Sequence, residues 1–88
     1  MRKQIVLVVE DNENERELYT LLLEMKGFKV KSVDTGQGAL AELQRDPPDV
    51  ILTDIAMPNM NGLDLVRQIK SRAELAKIPK VRNEFVVR

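Results

Sequence analysis

The first part of the chain alternates between two hydrophobic patterns. Residues 5–9 read IVLVV without a polar interruption, as in a strand that is covered on both faces of a parallel sheet. Apolar residues then recur at helical spacing, and they are Leu18, Leu21, Leu22 and Met25. Asn14 and Glu17 occupy the positions of a capping box, and Gly27 supplies a stop signal. The pattern predicts a central strand followed by a helix.

The same alternation continues along the chain. Residues 28–33 alternate apolar and polar side chains, which predicts a half-exposed strand beside the first and nearer a sheet edge. A second helix is predicted at residues 35–45, before Pro47 and Pro48, because proline disfavours helix in the residue before it. Its apolar stripe consists of Ala39, Leu40 and Leu43. Residues 50–52 are apolar again and predict a third, buried strand.

A third helix is predicted after a loop that contains Pro58 and Gly62. Its inward-facing residues are Leu63, Val66 and Ile69. Three successive pairs of strand and helix imply right-handed crossovers and a parallel sheet, which is an α/β fold. The apolar residues 85–87 then predict a short fourth strand.

Composition limits the chemistry that this chain can perform. Its 88 residues form one domain at most, and 14 basic and 14 acidic residues cancel, so no long-range field attracts nucleic acid or an anionic membrane. The absence of Cys and His excludes disulfides, histidine general bases and imidazole-ligated zinc. The apolar run at residues 5–9 is too short for a membrane span or a signal-peptide core. We therefore expect a soluble, cytoplasmic protein whose site uses oxygen ligands.

Carboxylates follow two of the predicted strands. Glu10 and Asp11 come after the first strand and Asp54 after the third. The carboxyl ends of parallel strands meet at one edge of a sheet, so these residues lie close together if the two strands are neighbours. The sequence supplies no obligatory cation beside them, and like charges this close raise one another's pKa. Oxygen ligands favour Mg²⁺ or Mn²⁺ over zinc, and Asp54 is then the natural nucleophile toward phosphorus.

Two segments resemble the signature motifs of response-regulator receiver domains, which are modules of two-component signalling. The first is VVEDN at residues 8–12, and the second, which is highly specific, is LTDIAMPNMNG at residues 52–62. The resemblance implies a flavodoxin-like fold, in which helices cover both faces of a parallel sheet in three layers. Three pairs of strand and helix and a short C-terminal strand would belong to this fold.

The resemblance also implies a function for the carboxylates. Mg²⁺, or Mn²⁺ in its place, would be held by Asp11, Asp54 and the backbone carbonyl of Ala56, with help from Glu10. Asp54 would accept a phosphoryl group from a histidine kinase or from a small phosphodonor. The chain would therefore act as a signalling module and not as an enzyme.

The chain departs from the family pattern after Ser71. Family members continue through a fourth strand that ends in Ser or Thr and a fifth that ends in Lys, whereas no Ser or Thr follows Ser71 here. We therefore expect a partial receiver-like domain at residues 1–71, cut short or altered from that point. Residues 72–88 are expected to form a divergent tail with a short strand at residues 84–87.

Other interpretations of the same residues stay open. Taken without the second motif, Glu10 and Asp11 read as a solvated turn in which Asp11 or Asn12 caps the next helix. The chain can also be a non-catalytic receiver fragment, or an engineered half-domain, that now folds and self-associates. An open sheet edge, or exchange of the tail at residues 85–87, would then produce a homodimer. An enzyme, such as a carboxylate-metal phosphatase or half of a (β/α) barrel, ranks last because no Ser, Lys or His is placed as its acid or base.

Overall fold

The computed structural model describes residues 3–54, 64–65, 67–68 and 84–87. Its elements, in chain order, are β1 (Ile5–Val9), α1 (Glu13–Met25), β2 (Lys29–Val33), α2 (Gly36–Arg45), β3 (Val50–Thr53) and β4 (Glu84–Val87). Residues 64–65 and 67–68, between β3 and β4, are helical. The strands form one parallel sheet in the order β2-β1-β3-β4, so the predicted α/β architecture and the short C-terminal strand are confirmed.

Strand β1 lies between β2 and β3, so its predicted central position is confirmed, and the first and third strands are neighbours. Val9 pairs with Val33 on one side and with Thr53 on the other, so the three strands end level with one another. At the opposite end, the Ile5 N–H donates to Asp49 Oδ2 (2.8 Å), and the Asp49 N–H donates to the Ile5 carbonyl (2.9 Å). These two bonds fix the register of β1 against the start of β3.

The described core lies on the face of the sheet that α2 covers. Leu7 and Val9 of β1 and Ile51 of β3 point to this face, since alternate residues of a strand share a face. They form one buried cluster with Leu65 and with three residues of α2, which are Ala39, Leu40 and Leu43. The apolar stripe predicted for the second helix is therefore confirmed. The residues predicted to face inward from the third helix, which are Leu63, Val66 and Ile69, lie outside the described residues.

Helix α1 is capped by Asn12, which the sequence offered as an alternative cap, and not by the predicted Asn14. The side-chain oxygen of Asn12 accepts from the Glu15 N–H (3.0 Å). Asn14 lies inside the helix, so the predicted capping box of Asn14 and Glu17 is wrong. The physical reason is that Glu10 Oε2 accepts the N–H of Asn12 (3.2 Å). This bond holds the chain before the helix in the extended conformation that an N-cap adopts.

Helix α1 ends at Met25, and Gly27 is the stop signal just beyond it, as predicted. This glycine has a φ of 94°, a backbone conformation that residues other than glycine rarely adopt. The Gly27 N–H donates to the carbonyl of Glu24 (3.0 Å) and the Phe28 N–H to the carbonyl of Leu23 (3.1 Å). These are the two bonds of a Schellman motif, which satisfies the last carbonyls of a helix.

Helix α1 lies on the other face of the sheet, and its apolar stripe does not point inward. A cavity of about 220 Å³ is lined by α1 residues and by Ser32 of β2, which pairs with Val8 and therefore faces away from the core cluster. The half-buried residues on the sheet-facing side of α1 are Arg16, Tyr19, Thr20 and Leu23. The apolar stripe is exposed instead, and the exposed fractions of its residues are 52% for Leu18, 55% for Leu21, 45% for Leu22 and 74% for Met25. Among the described residues, no helix is long and apolar enough to cross a membrane.

Candidate functional site

The ends of β1 and β3 bring two of the predicted site residues together. Asp54 follows β3, and its N–H donates to the carbonyl of Val9 (3.4 Å). Glu10 follows β1, and its N–H donates to the carbonyl of Val33 in β2 (3.1 Å). The Thr53 hydroxyl, which is buried, donates to the carbonyl of Asp54 (3.3 Å). The parallel pairing of β1 with both neighbours thus places Glu10 and Asp54 side by side at the carboxyl edge of the sheet.

A third carboxylate joins this pair, and it comes from α1. One carboxylate oxygen from each of Glu10, Glu15 and Asp54 lies within 4.8 Å of the others. Glu10 is 2% exposed, Asp54 is half-buried and Glu15 is exposed. We call these three residues the carboxylate group. Asp11, which the sequence also placed at the site, is exposed and is not one of the three.

Asp11 nevertheless lies next to the carboxylate group, because its side chain shares a hydrogen bond with that of Glu10. Ala56, whose carbonyl the receiver resemblance assigned to the metal, lies outside the described residues. The roles predicted for Asp11 and Ala56 therefore stay predictions.

Burial raises the pKa of Glu10 from its ordinary value of 4.5 to about 7. The N–H of Asn12 opposes the rise, because it donates to the charged carboxylate. Hydrogen bonds with the carboxyls of Asp11 and Glu15, and the charge of Asp54, raise the pKa further. Glu10 therefore keeps its proton to a higher pH than an ordinary glutamate does.

One cation lies closer to the site than the sequence indicated. Arg16 Nη1 donates to the backbone carbonyl of Glu10 (2.9 Å). The sequence pattern indicates no obligatory cation beside the carboxylates, whereas the Arg16 guanidinium lies beside the Glu10 backbone. The bond goes to the backbone, however, and burial of the Glu10 carboxyl still dominates its pKa. Arg16 thus orients the segment between β1 and α1 without neutralising Glu10.

Sequence reasoning missed Glu15, although a local signal was available. Asn12 and Glu15 have the spacing of a capping box, in which the glutamate side chain returns to the N–H of the N-cap residue. Here that N–H donates to Glu10 Oε2, and the Glu15 carboxylate lies with Glu10 and Asp54. The N-terminus of a helix carries a partial positive charge, which favours carboxylates in this position.

The carboxylate group has the chemistry of a site for a hard divalent cation. All three candidate ligands are oxygens, which Mg²⁺, Mn²⁺ and Ca²⁺ prefer. Two oxygens on opposite sides of one such ion are separated by about 4 to 5 Å, twice a metal–oxygen distance of about 2.0 to 2.6 Å. The three oxygens lie within 4.8 Å of one another, which is in the range for a larger ion such as Ca²⁺, whereas an ion of the Mg²⁺ size would need them within about 4.2 Å.

The chain belongs to the response regulator receiver domain family, whose sequence profile matches residues 6–81. The resemblance stated from the two motifs is thereby confirmed. The chain is 36% identical to Protein PilH of Pseudomonas aeruginosa over 76 residues. This alignment covers 86% of this chain and 63% of PilH. It is 37% identical to the sensory transduction protein RegX3 of Mycolicibacterium smegmatis over 73 residues. This alignment covers 83% of this chain and 32% of RegX3.

Solved structures of receiver proteins have the same fold. The chemotaxis protein CheY4 of Vibrio cholerae superposes with a TM-score of 0.83 at 27% identity, over 98% of this chain and 68% of CheY4. A CheY-like receiver domain from Methylobacillus flagellatus gives a TM-score of 0.83 at 32% identity, over 98% of this chain and 69% of that domain. The predicted flavodoxin-like fold is thereby confirmed. The chain spans about one third to two thirds of the length of the curated relatives named above.

Proposed function

We propose that this chain is a receiver module of two-component signalling that binds Mg²⁺ and accepts a phosphoryl group at Asp54. The observation that supports the proposal best is the carboxylate group, which contains Asp54 and lies at the carboxyl edge of the sheet of a receiver-family fold. Glu10, Asp11, Asp54 and the Ala56 carbonyl are the proposed ligands from the motifs. Mn²⁺ is the alternative ion, because the same oxygens accept it.

In the proposed reaction, a carboxylate oxygen of Asp54 attacks phosphorus in line with the leaving group. The new oxygen–phosphorus bond forms as the bond to the donor breaks, and the donor, a phosphohistidine of a kinase or a small phosphodonor, keeps the electron pair of that bond. The cation would neutralise the oxygens of the transferred group and of the carboxylates. The bond from Asp54 N–H to Val9 and the bond from Thr53 to the Asp54 carbonyl hold the backbone of the nucleophile in place.

The partner in this proposal is a protein or a small molecule that carries a labile phosphoryl group. A histidine kinase is the proposed protein donor, and the cytoplasm is the proposed compartment. With a formal net charge of zero, the chain would recognise its donor through local contacts around the carboxylate group and not through a long-range field. It would transmit a signal and would not turn over a substrate.

The experiment is phosphorylation of the full chain with acetyl phosphate and Mg²⁺, measured by intact mass. A parallel NMR titration with beryllofluoride uses this compound as a phosphoryl mimic. The test variant is Asp54→Asn, and the matched control is Asp34→Asn, since Asp34 is an exposed aspartate that follows β2. We expect one added phosphoryl group, and shifted amides around Glu10 and Asp54, in the wild type and in the control only.

Two results would contradict the proposal. Labelling that survives in Asp54→Asn would assign the phosphoryl group to another residue. A folded wild-type chain whose amide spectrum does not change on addition of Mg²⁺ and beryllofluoride together would mean that the chain has the receiver fold but not the receiver chemistry. Dispersed amide signals in the metal-free spectrum establish that the chain is folded in either case.

Self-association is a second candidate function, and the exposed stripe of α1 favours it. Four large apolar side chains lie together on one face of α1, and contiguous apolar patches of this kind usually mark an interaction surface. Within the described part of the sheet, β2 and β4 are the outer strands, and an open edge can pair with another chain. We propose a second copy of this chain as the partner, through the sheet edge, an exchanged tail or this stripe.

Sedimentation velocity over a range of concentrations tests self-association and identifies the surface. Leu22→Glu places a charge in the stripe, and Gln44→Glu places the same charge on an exposed position of α2. If the stripe forms the contact, Leu22→Glu gives a monomer at concentrations where the wild type and Gln44→Glu are dimers. A dimer in all three proteins would assign the contact to the sheet edge or the tail, and a monomer in all three would exclude this function.

A further inference from the structure

The backbone of Glu10 is held on both sides. Its N–H donates to the carbonyl of Val33 in β2 (3.1 Å), and its carbonyl accepts from Nη1 of Arg16 (2.9 Å). Peptide units are planar, so the orientation of the two units that flank a residue sets its φ and ψ. These two bonds therefore set the direction in which the Glu10 side chain leaves the end of β1.

The bond from Arg16 also fixes the peptide unit between Glu10 and Asp11. The Glu10 carbonyl lies in the same plane as the N–H and Cα of Asp11, and both residues are proposed cation ligands. Beyond Asp11, the N–H of Asn12 donates to Glu10 Oε2 (3.2 Å). Arg16 therefore acts on the two proposed ligands that follow β1, although its own contact is with the backbone.

Asp54 has a similar arrangement at the end of β3. Its N–H donates to the carbonyl of Val9 in β1 (3.4 Å), and its carbonyl accepts from the Thr53 hydroxyl (3.3 Å). Each of these two strand ends is thus held by a bond to a neighbouring strand and by a side-chain donor. Thr53 is the adjacent residue, whereas Arg16 lies six residues from Glu10. The bond from Arg16 therefore ties α1 to the end of β1.

The place of Arg16 in α1 is not explained by the helix itself. Arg16 is the fourth residue of α1, near the helix N-terminus, whose partial positive charge disfavours a cation. Helical side chains point toward the N-terminus, so the half-buried Arg16 reaches back to Glu10. A charged donor makes a stronger hydrogen bond than a neutral one. The contact with the Glu10 carbonyl is therefore what favours an arginine at this position.

We propose that Arg16 is a positioning residue of the cation site, because its bond to the Glu10 carbonyl keeps Glu10 and Asp11 oriented for the ion. This inference rests on the proposed function, since it concerns the same cation. Charge alone would have the opposite effect, because loss of a positive charge near carboxylates tightens the binding of a cation. Loss of a group that orients ligands weakens binding instead. The sign of the change in affinity therefore separates the two.

The experiment compares Arg16→Gln with Lys26→Gln, which removes the same charge from the exposed C-cap of α1. The amide NMR spectrum of the full chain is titrated with Mg²⁺, and the rate of phosphorylation by acetyl phosphate is followed by intact mass at each Mg²⁺ concentration. We expect Arg16→Gln to need about 10- to 100-fold more Mg²⁺ for half-saturation in both measurements. Lys26→Gln should stay within about twofold of the wild type, because only a distant, screened charge changes.

The rate at saturating Mg²⁺ is a second readout. It should change much less than the half-saturating concentration, because the bonds that hold the backbone of Asp54 do not involve Arg16. Arg16→Lys keeps a charged donor but not the planar guanidinium, so its Mg²⁺ affinity should lie between those of the wild type and Arg16→Gln. Metal-free spectra establish that each variant is folded, and if Arg16→Gln is not, the affinity of Arg16→Lys decides.

The outcomes separate this inference from the proposed function. If the wild type is phosphorylated and the Arg16 variants bind Mg²⁺ as tightly as it does, or more tightly, Arg16 does not position the ligands and the proposed function stands. Equal weakening in Arg16→Gln and Lys26→Gln would also overturn the inference. A wild type that binds Mg²⁺ without being phosphorylated would refute the proposed function, and the Mg²⁺ titration would still decide the role of Arg16. If the folded wild type does not bind Mg²⁺, both fail.

Discussion

Substitution of Glu10 by glutamine should remove a specific part of the pH dependence of stability. The pKa of Glu10 is about 7 in the folded chain and 4.5 ordinarily, so the folded state binds more protons than the unfolded state between these values. The stability from this group is fully present below about pH 4.5 and is lost as the pH rises through about 7. Glutamine keeps the shape and the oxygen that accepts the Asn12 N–H, and it does not titrate.

The magnitude follows from the size of the pKa shift. One pKa unit corresponds to about 1.4 kcal/mol, so the free energy of unfolding of the wild type should fall by about 2 to 3 kcal/mol between pH 5 and pH 8 through Glu10 alone. A domain of this size has a total stability of only about 5 to 10 kcal/mol, so the loss is large. Glu10→Gln should lack it and should be the more stable protein at pH 8.

The assay is urea unfolding followed by circular dichroism at pH 5 and pH 8, with a chelator present. Glu17→Gln is the control, since Glu17 is exposed on α1 and its substitution should leave the wild-type pH dependence in place. The reasoning is refuted if the wild type and Glu10→Gln lose the same stability between the two pH values. A further check is addition of Mg²⁺ at pH 8, which should stabilise the wild type more than Glu10→Gln.

Three further predictions test the fold by urea unfolding. Leu43→Ala should lower the free energy of unfolding by about 2 to 5 kcal/mol, because Leu43 is only 1% exposed and belongs to the core cluster. Leu22→Ala should cost less than about 1 kcal/mol, because Leu22 is 45% exposed, and an equal cost at both positions would contradict the described core. Asn12→Ala should cost about 0.5 to 2 kcal/mol through loss of the N-cap, whereas Asn14→Ala should cost little. Gly27→Ala should lower the free energy of unfolding by about 1 to 2 kcal/mol, because a φ of 94° is strained for any residue with a side chain. The cost does not come from a clash, since no atom lies within 4 Å of an added Cβ.

The sheet and α2 could be predicted from the sequence because their patterns have one interpretation. Five consecutive apolar residues at 5–9 require cover on both faces, and β1 is an inner strand with all five residues buried. The stripe of α2 lies on one side of a short helix, and its three residues are buried in the core. In both elements the local pattern and the packing of the sheet select the same residues, so the pattern was sufficient.

The errors occurred where a tertiary contact decided between local alternatives. Asn12 and Asn14 are equally good caps by residue type, and the bond from Asn12 N–H to the Glu10 carboxylate selects Asn12. Helical spacing correctly grouped Leu18 with Leu22, but spacing cannot tell which side of a helix faces the sheet. Glu15 was missed for the same reason, since its place in the site depends on where Asn12 starts the helix.

Protons and divalent cations should act as alternative stabilisers of this fold. The register of β1 against β3, fixed at one end by Ile5 and Asp49, forces Glu10 and Asp54 together at the other end. The backbones of these two residues therefore stay adjacent. At low pH a proton on Glu10 lowers the repulsion between the two carboxylates, and above about pH 7 a bound cation would do so. Cation affinity should consequently rise with pH up to about pH 7, because the ion displaces that proton, and it should level off once Glu10 is ionised.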